Sequence, residues 1–110
     1  MKDVKVGDVL AGSWGYSMTL WMFGEVVKVT PKQVVIRELM KQDIGGQLWE
    51  LEVKPVLGKY DTRHPDTEHR VKNDIDKDYV WIPKYRCLLY HYDPNKKFLE
   101  NHMDWFKNNL

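Results

Sequence analysis

The sequence predicts a mainly β fold with antiparallel strands, and three observations carry that prediction. Residues 21–29 read Trp-Met-Phe-Gly-Glu-Val-Val-Lys-Val, an aromatic and β-branched run that fits a pleated, half-buried surface. A turn at Thr30-Pro31-Lys32-Gln33 follows, because Pro31 presets φ and has no N–H for a ladder, and residues 34–39 return. Residues 48–54 then alternate, with Trp49, Leu51 and Val53 on one side and Glu50, Glu52 and Lys54 on the other. That is the pattern of a strand with one face in water.

A chain of 110 residues makes one domain, 1–110, able to bury a core without metal or disulfide staples. The single Cys87 excludes an internal disulfide. No apolar run reaches membrane length and the opening residues carry no signal-peptide pattern, so the expectation is a soluble, cytoplasmic protein without a membrane partner. A formal net charge of +1 gives no bulk attraction to nucleic acid.

Taken in order, residues 4–11 predict a short strand, and Gly12 and Gly15 bracket an irregular corner at Ser13-Trp14. In the next strand alternation groups Trp21, Phe23, Val27 and Val29 on one face, with Glu25 as the defect and a bulge expected beside Gly24. Residues 41–47, with Gly45-Gly46, predict a loop, and Pro55 argues against a central position for the end of the strand that follows. Residues 58–78 are a polar surface excursion with five Lys/Arg, six Asp/Glu and two His. Such a stretch cannot offset its own ordering entropy, although an extended strand around 68–72 is expected inside it. Residues 79–82 and 85–90 are strand-like, and Asp93-Pro94-Asn95-Lys96 is a turn. Beyond it Leu99, Met103, Phe106 and Leu110 fall at helical spacing, with Asp93-Pro94 suited to N-cap and first helical residue, and a short helix over about 104–109 is expected.

Ser13-Trp14-Gly15-Tyr16-x-x-Thr19, followed by Phe23-x-x-Val26-Val27-x-Val29-Thr30, resembles an uncharacterised family of small proteins encoded by bacteriophages and bacterial mobile elements. The resemblance covers residues 7–39 and is echoed at 90–98, where the family tends to have a hairpin; it implies a hairpin return strand over 97–101, ahead of the short helix over about 104–109. The chain departs from the family pattern at Met18, Leu20 and Met22, which are polar in the family. The resemblance implies a small β-rich domain in a phage or mobile-element context, and it implies no activity.

Candidate chemistry is sparse. Asp74-x-Asp76-x-Asp78 opens like a calcium loop, but the sixth and twelfth positions are Tyr79 and Tyr85 instead of Gly and Glu. His64, Asp66 and His69, with Asp61 nearby, match no zinc spacing. Cys87 has His91 four residues on, roughly 13 Å away along a strand and out of hydrogen-bond reach. No nucleophile elbow or phosphate-binding glycine pattern is present. No catalytic residue, metal ligand or cofactor is therefore assigned. Trp14, Tyr16, Trp21, Phe23 and Trp49 are read as core or surface aromatics, with Tyr16 facing solvent.

The fold expectation is a small, partly open, SH3-like antiparallel barrel of five to seven strands with the short C-terminal helix, preferred over a two-layer sandwich. Function is expected to be non-enzymatic. The first reading is a protein-interaction module that contacts a protein partner or a second copy of itself. The alternative is a single-stranded nucleic-acid binder, with Tyr16 stacking on bases while Lys28, Lys32 and Arg37 meet phosphates and Lys41 shares their face. A third reading, a small enzyme sited in 58–78, requires His64 and His69 to converge with carboxylates on a pocket.

Overall fold

The computed structural model describes residues 1–47 and 49–101. Among them are eight strands: β1 Val9–Trp14, β2 Leu20–Val29, β3 Gln33–Gln47, β4 Glu50–Tyr60, β5 Glu68–Lys72, β6 Val80–Ile82, β7 Cys87–His91 and β8 Phe98–Asn101. All pairings are antiparallel, in the order β6-β7-β1-β2-β3-β4-β8, with β5 added on β3. The mainly β expectation holds. The sheet is not closed by a ladder between its ends, and the expected helix over 104–109 lies outside the described residues.

The 15-residue β3 places everything else. Its first half pairs with β2 on one edge and β5 on the other, and beyond Glu38 it pairs with β4. The expected loop over 41–47 is strand instead. Register shifts at Leu39/Lys41 and Asp43/Gly45 bend the ladder without ending it. Gly46, at φ 104°, lets the two backbones of this hairpin approach, since a Cβ there would lie 2.3 Å from the Glu50 carbonyl oxygen. Pro55 is tolerated opposite Lys41 because β8 leaves the other edge of β4 at Val53.

Strand β2 is buried on both faces, which alternation on one face did not anticipate. Met22 and Val26 enter a core with Leu10, Val34, Ile36, Val71, Val80, Ile82, Cys87 and Leu89. Phe23 enters a second, smaller core with Ala11, Leu39, Val53 and Phe98. The bulge falls at Val26/Lys28, after the expected place, so Val29 joins the first core and parts from Phe23. Gly24 has a packing reason: a Cβ there would meet Ile36 Cγ2 at 2.4 Å. Glu25 lies in line with Phe23 because the Tyr60 hydroxyl donates to its carboxylate.

The excursion contributes more to the core than its composition implied. Its strand β5 turns His69 and Val71 inward and Glu68, Arg70 and Lys72 outward. Trp49, by contrast, is 44% exposed and precedes β4, while Val53 alone of the expected inward trio is fully buried. The irregular corner at 12–15 starts later than expected, because Gly12 and Ser13 pair with Met22 and Trp21 inside β1.

The return strand exists, but not as a hairpin on β7. An Asx turn, with Asn95 N–H donating to Asp93 Oδ1 at 2.9 Å, sends β8 across the second core to β4. Phe98 is what draws it there, lying 4.8 Å from the Trp21 ring and 5.3 Å from Phe23. Asn101 then exchanges two backbone hydrogen bonds with Thr19, at 3.1 and 2.9 Å.

Candidate functional site

Because β6 and β7 alternate, Val80, Ile82, Cys87 and Leu89 fill the first core while Trp81, Leu88 and Tyr90 point the other way. Register places Trp81 opposite Leu88 and Tyr90 opposite Ala11, so these side chains continue the sheet face that carries Phe23. The β4–β8 unit covers only the Phe23 end of that face. Trp81 is left 47% exposed and Tyr90 44% exposed. A groove of about 430 Å³ runs over them, lined also by Trp21, Leu88 and Arg86.

A second groove of about 580 Å³ adjoins it, sharing Ser13 and Arg86. Its walls are two tight turns. In the first, Gly15 at φ 124° and Ser17 at φ 64° lift Tyr16 into solvent, 94% exposed. In the second, Arg86 at φ 50° closes the link from Pro83. The Trp14 and Tyr85 rings stack at 4.6 Å and fasten the two turns together. Lys84 Nζ donates to the Asp66 carbonyl oxygen at 2.8 Å and lies 5.3 Å from the Tyr85 ring centre. Among the described residues no carboxylate lines either groove.

The sequence-predicted nucleic-acid residues are split by the fold. Tyr16 stands before the start of β2, whereas Lys28 is near its far end, roughly 27 Å away at strand rise. Lys28 sits opposite Val35 and Arg37 opposite Glu25, on one face, with Lys32 in the adjoining turn. Pairing of β5 brings Arg70 and Lys72 to the same face, together with Glu68. Lys41 is elsewhere, bonded to Glu100 and to the Trp21 carbonyl oxygen. Tyr16 and Lys41 therefore do not share one surface with Lys28, Lys32 and Arg37.

A smaller cavity of about 140 Å³ lies behind Trp14 and Tyr85, between Glu38 of β3 and the excursion. Asp61 N–H donates to the Glu38 carbonyl oxygen at 2.9 Å and Glu38 N–H to that of Thr67 at 2.8 Å, clamping the excursion over it. Arg63 grips the Asp61 carboxylate through two hydrogen bonds and holds it down to about 2. Burial, and a hydrogen bond to Glu38, push the Tyr85 hydroxyl well above its ordinary range. His64 lines this cavity, but His69 lies behind Glu38, with Nε2 at 3.6 Å from Oε2 and no hydrogen-bond partner. The two histidines thus do not converge on one cavity. Asp74 Oδ1 accepts from Asp76 N–H, and among the described residues no three His, Cys, Asp or Glu side chains group to hold a metal ion.

Cys87 is 3% exposed, and burial pushes its thiol up to about 11. The folded chain keeps that proton while the unfolded thiol loses it, so this contribution to stability is full below about pH 9 and falls as pH rises toward 11. Alkylation by iodoacetamide at pH 8 is expected to be at least a hundredfold slower in the native protein than in urea, tracking unfolding. Equal rates would show an accessible thiolate and remove the core assignment.

Sequence reasoning passed over Trp81, Tyr90, Arg86, Glu38 and Tyr85. A usable signal was present for two of them: when both faces of a short strand are apolar, one must be covered by something else or remain open. Among the described residues no helix is long and apolar enough to cross a membrane. No protein-family model, curated protein or solved structure matches the chain.

Proposed function

We propose that the protein is a non-enzymatic protein-interaction module, acting in the cytoplasm, whose binding surface is the paired grooves around Arg86. One observation carries this reading: a half-exposed Trp81 and Tyr90 and a fully presented Tyr16 flank an arginine, with no carboxylate among the described lining residues. Trp, Tyr and Arg are the residues that dominate interface energetics. Charge complementarity favours as partner a protein segment with apolar side chains for the Trp81–Tyr90 groove and a carboxylate for Arg86. The Ser13-Trp14-Gly15-Tyr16 resemblance supports a phage or mobile-element setting. Six strands sharing one core, with Val71 of β5 beside Val80 and Ile82 of β6, support a small, partly open, SH3-like barrel as the architecture.

A second reading, single-stranded nucleic-acid binding, is favoured by a different surface. Lys28, Arg37, Arg70 and Lys72 share the outer face of β2, β3 and β5. Glu25 and Glu68 flank Arg37 there, which interrupts a phosphate track.

The deciding experiment photocrosslinks a partner from the native host and maps the crosslinks, comparing wild type with Trp81→Ala/Tyr90→Ala. Both rings are near half exposed, so the double variant is expected to stay folded within about 1–2 kcal/mol. Crosslinks at 81, 86 and 90, with capture reduced at least thirtyfold in the variant, are expected. Crosslinks elsewhere, or undiminished capture, would overturn the proposal. Oligonucleotide binding that weakens steeply with salt and is abolished by Arg70→Ala would install the second reading.

A further inference from the structure

We infer that the cavity behind Trp14 and Tyr85 binds the head group of a small organic ammonium ion, with Glu38 as its counter-charge. This site is separate from the grooves around Arg86 and does not depend on their function. Its volume, about 140 Å³, is close to that of an apolar cavity that takes up benzene, so it fits an alkylammonium head and little more.

The sign of the ligand follows from which charges in the lining are already committed. Lys41 is bonded to Glu100 at 2.5 Å, and Arg63 is paired with Asp61 at 2.9 Å. An anion would therefore find both cations engaged. Glu38 is the reverse case: among the described residues no lysine or arginine is within ion-pair distance of it. His69 Nε2 lies 3.6 Å from the Glu38 carboxylate, within ion-pair reach only if protonated and too far for a hydrogen bond. A carboxylate accepts about four hydrogen bonds, so most of its capacity is open to a ligand's N–H groups. Trp14, Trp21 and Phe23 supply the apolar wall against which alkyl carbons pack, and exposed Arg63 and His64 form the rim.

The test is a titration of the intact protein with n-butylammonium chloride, read by tryptophan emission, with sodium butyrate as the matched anion. Saturable change with butylammonium and none with butyrate is expected. Glu38→Gln, which keeps size and an acceptor, is expected to weaken binding at least tenfold while leaving the thermal midpoint within a few degrees. Arg63→Ala, a surface change that releases Asp61, is expected to strengthen it severalfold. Butyrate binding as well as butylammonium, or a Glu38→Gln protein that titrates like wild type, would overturn the inference. A blocked lysine, Nα-acetyl-lysine methylamide, separates the sources. If it binds as tightly as butylammonium the head group comes from a protein side chain, and if only butylammonium binds it comes from a free amine; either result upholds the site.

Discussion

Phe23→Ala is expected to destabilise the fold by about 3–5 kcal/mol, a large part of the total stability of a domain this size. Phe23 is 1% exposed and is the hub of the second core. Its ring meets Phe98 edge-on at 5.3 Å, Tyr92 edge-on at 6.0 Å and Trp21 stacked at 6.5 Å. That core is small, with Ala11, Leu39, Val53 and Phe98 as its other buried members, so little can collapse into the void. The loss should also be uneven. β4 and β8 rest on the central sheet through this core, whereas β1, β2, β3, β5, β6 and β7 share the other one. Hydrogen exchange is therefore expected to speed first at Leu51 and Val53 of β4 and at Phe98 of β8, while Leu10, Ile36 and Leu89 stay protected. Urea unfolding measures the total. A loss below about 1.5 kcal/mol, or uniform loss of protection, would show that Phe23 does not hold the β4–β8 cover in place.

The same two cores explain what could be read from the sequence. The β2–turn–β3 unit was legible because each of its signals is local: β-branched residues, Pro31, and Thr30 whose side chain accepts from Gln33 N–H at 2.9 Å. The strand within the polar excursion was legible in its position, but its burial was not. His69 and Val71 become interior only because β5 finds the free edge of β3, a contact more than thirty residues away in sequence. The partner of β8 was misread for the same reason: turn chemistry at Asp93 specifies a reversal, but Phe98 chooses the sheet it joins. The candidate sites were less legible still. Tyr16 was recognised as exposed, but the cations beside it, Lys84 and Arg86, come from a turn nearly seventy residues on. Glu38 looked like one more surface carboxylate, because nothing local shows that the excursion folds over it.

The edge between β8 and β2 should fail in a graded order when its charged partners are removed. Glu100 is 3% exposed on a four-residue strand and looks misplaced until its partners are counted. One carboxylate oxygen, Oε2, accepts from Trp21 N–H at 2.9 Å and from Lys41 Nζ at 2.5 Å, and the same ammonium donates to the Trp21 carbonyl oxygen at 3.1 Å. The indole of Trp21 donates in turn to the Leu99 carbonyl oxygen at 3.0 Å. Among the described residues these bonds, with the bridge at Thr19 and Asn101, stand in for a ladder between the two strands. Glu100→Ala is expected to cost about 2–4 kcal/mol. It strands a buried N–H and an ammonium, and the Lys41 side chain, 30% exposed, recovers part of its hydration. Glu100→Gln retains an acceptor for Trp21 and should cost roughly half as much. Lys41→Met removes the ammonium along with its desolvation penalty, so about 1 kcal/mol is expected. The double variant Lys41→Met/Glu100→Gln should lose about 1 kcal/mol or more less than the sum of the two single losses, since each single change already breaks the pair. If Glu100→Gln were as damaging as Glu100→Ala, the charge would be what holds the edge; strict additivity would mean that Lys41 and Glu100 act on it independently.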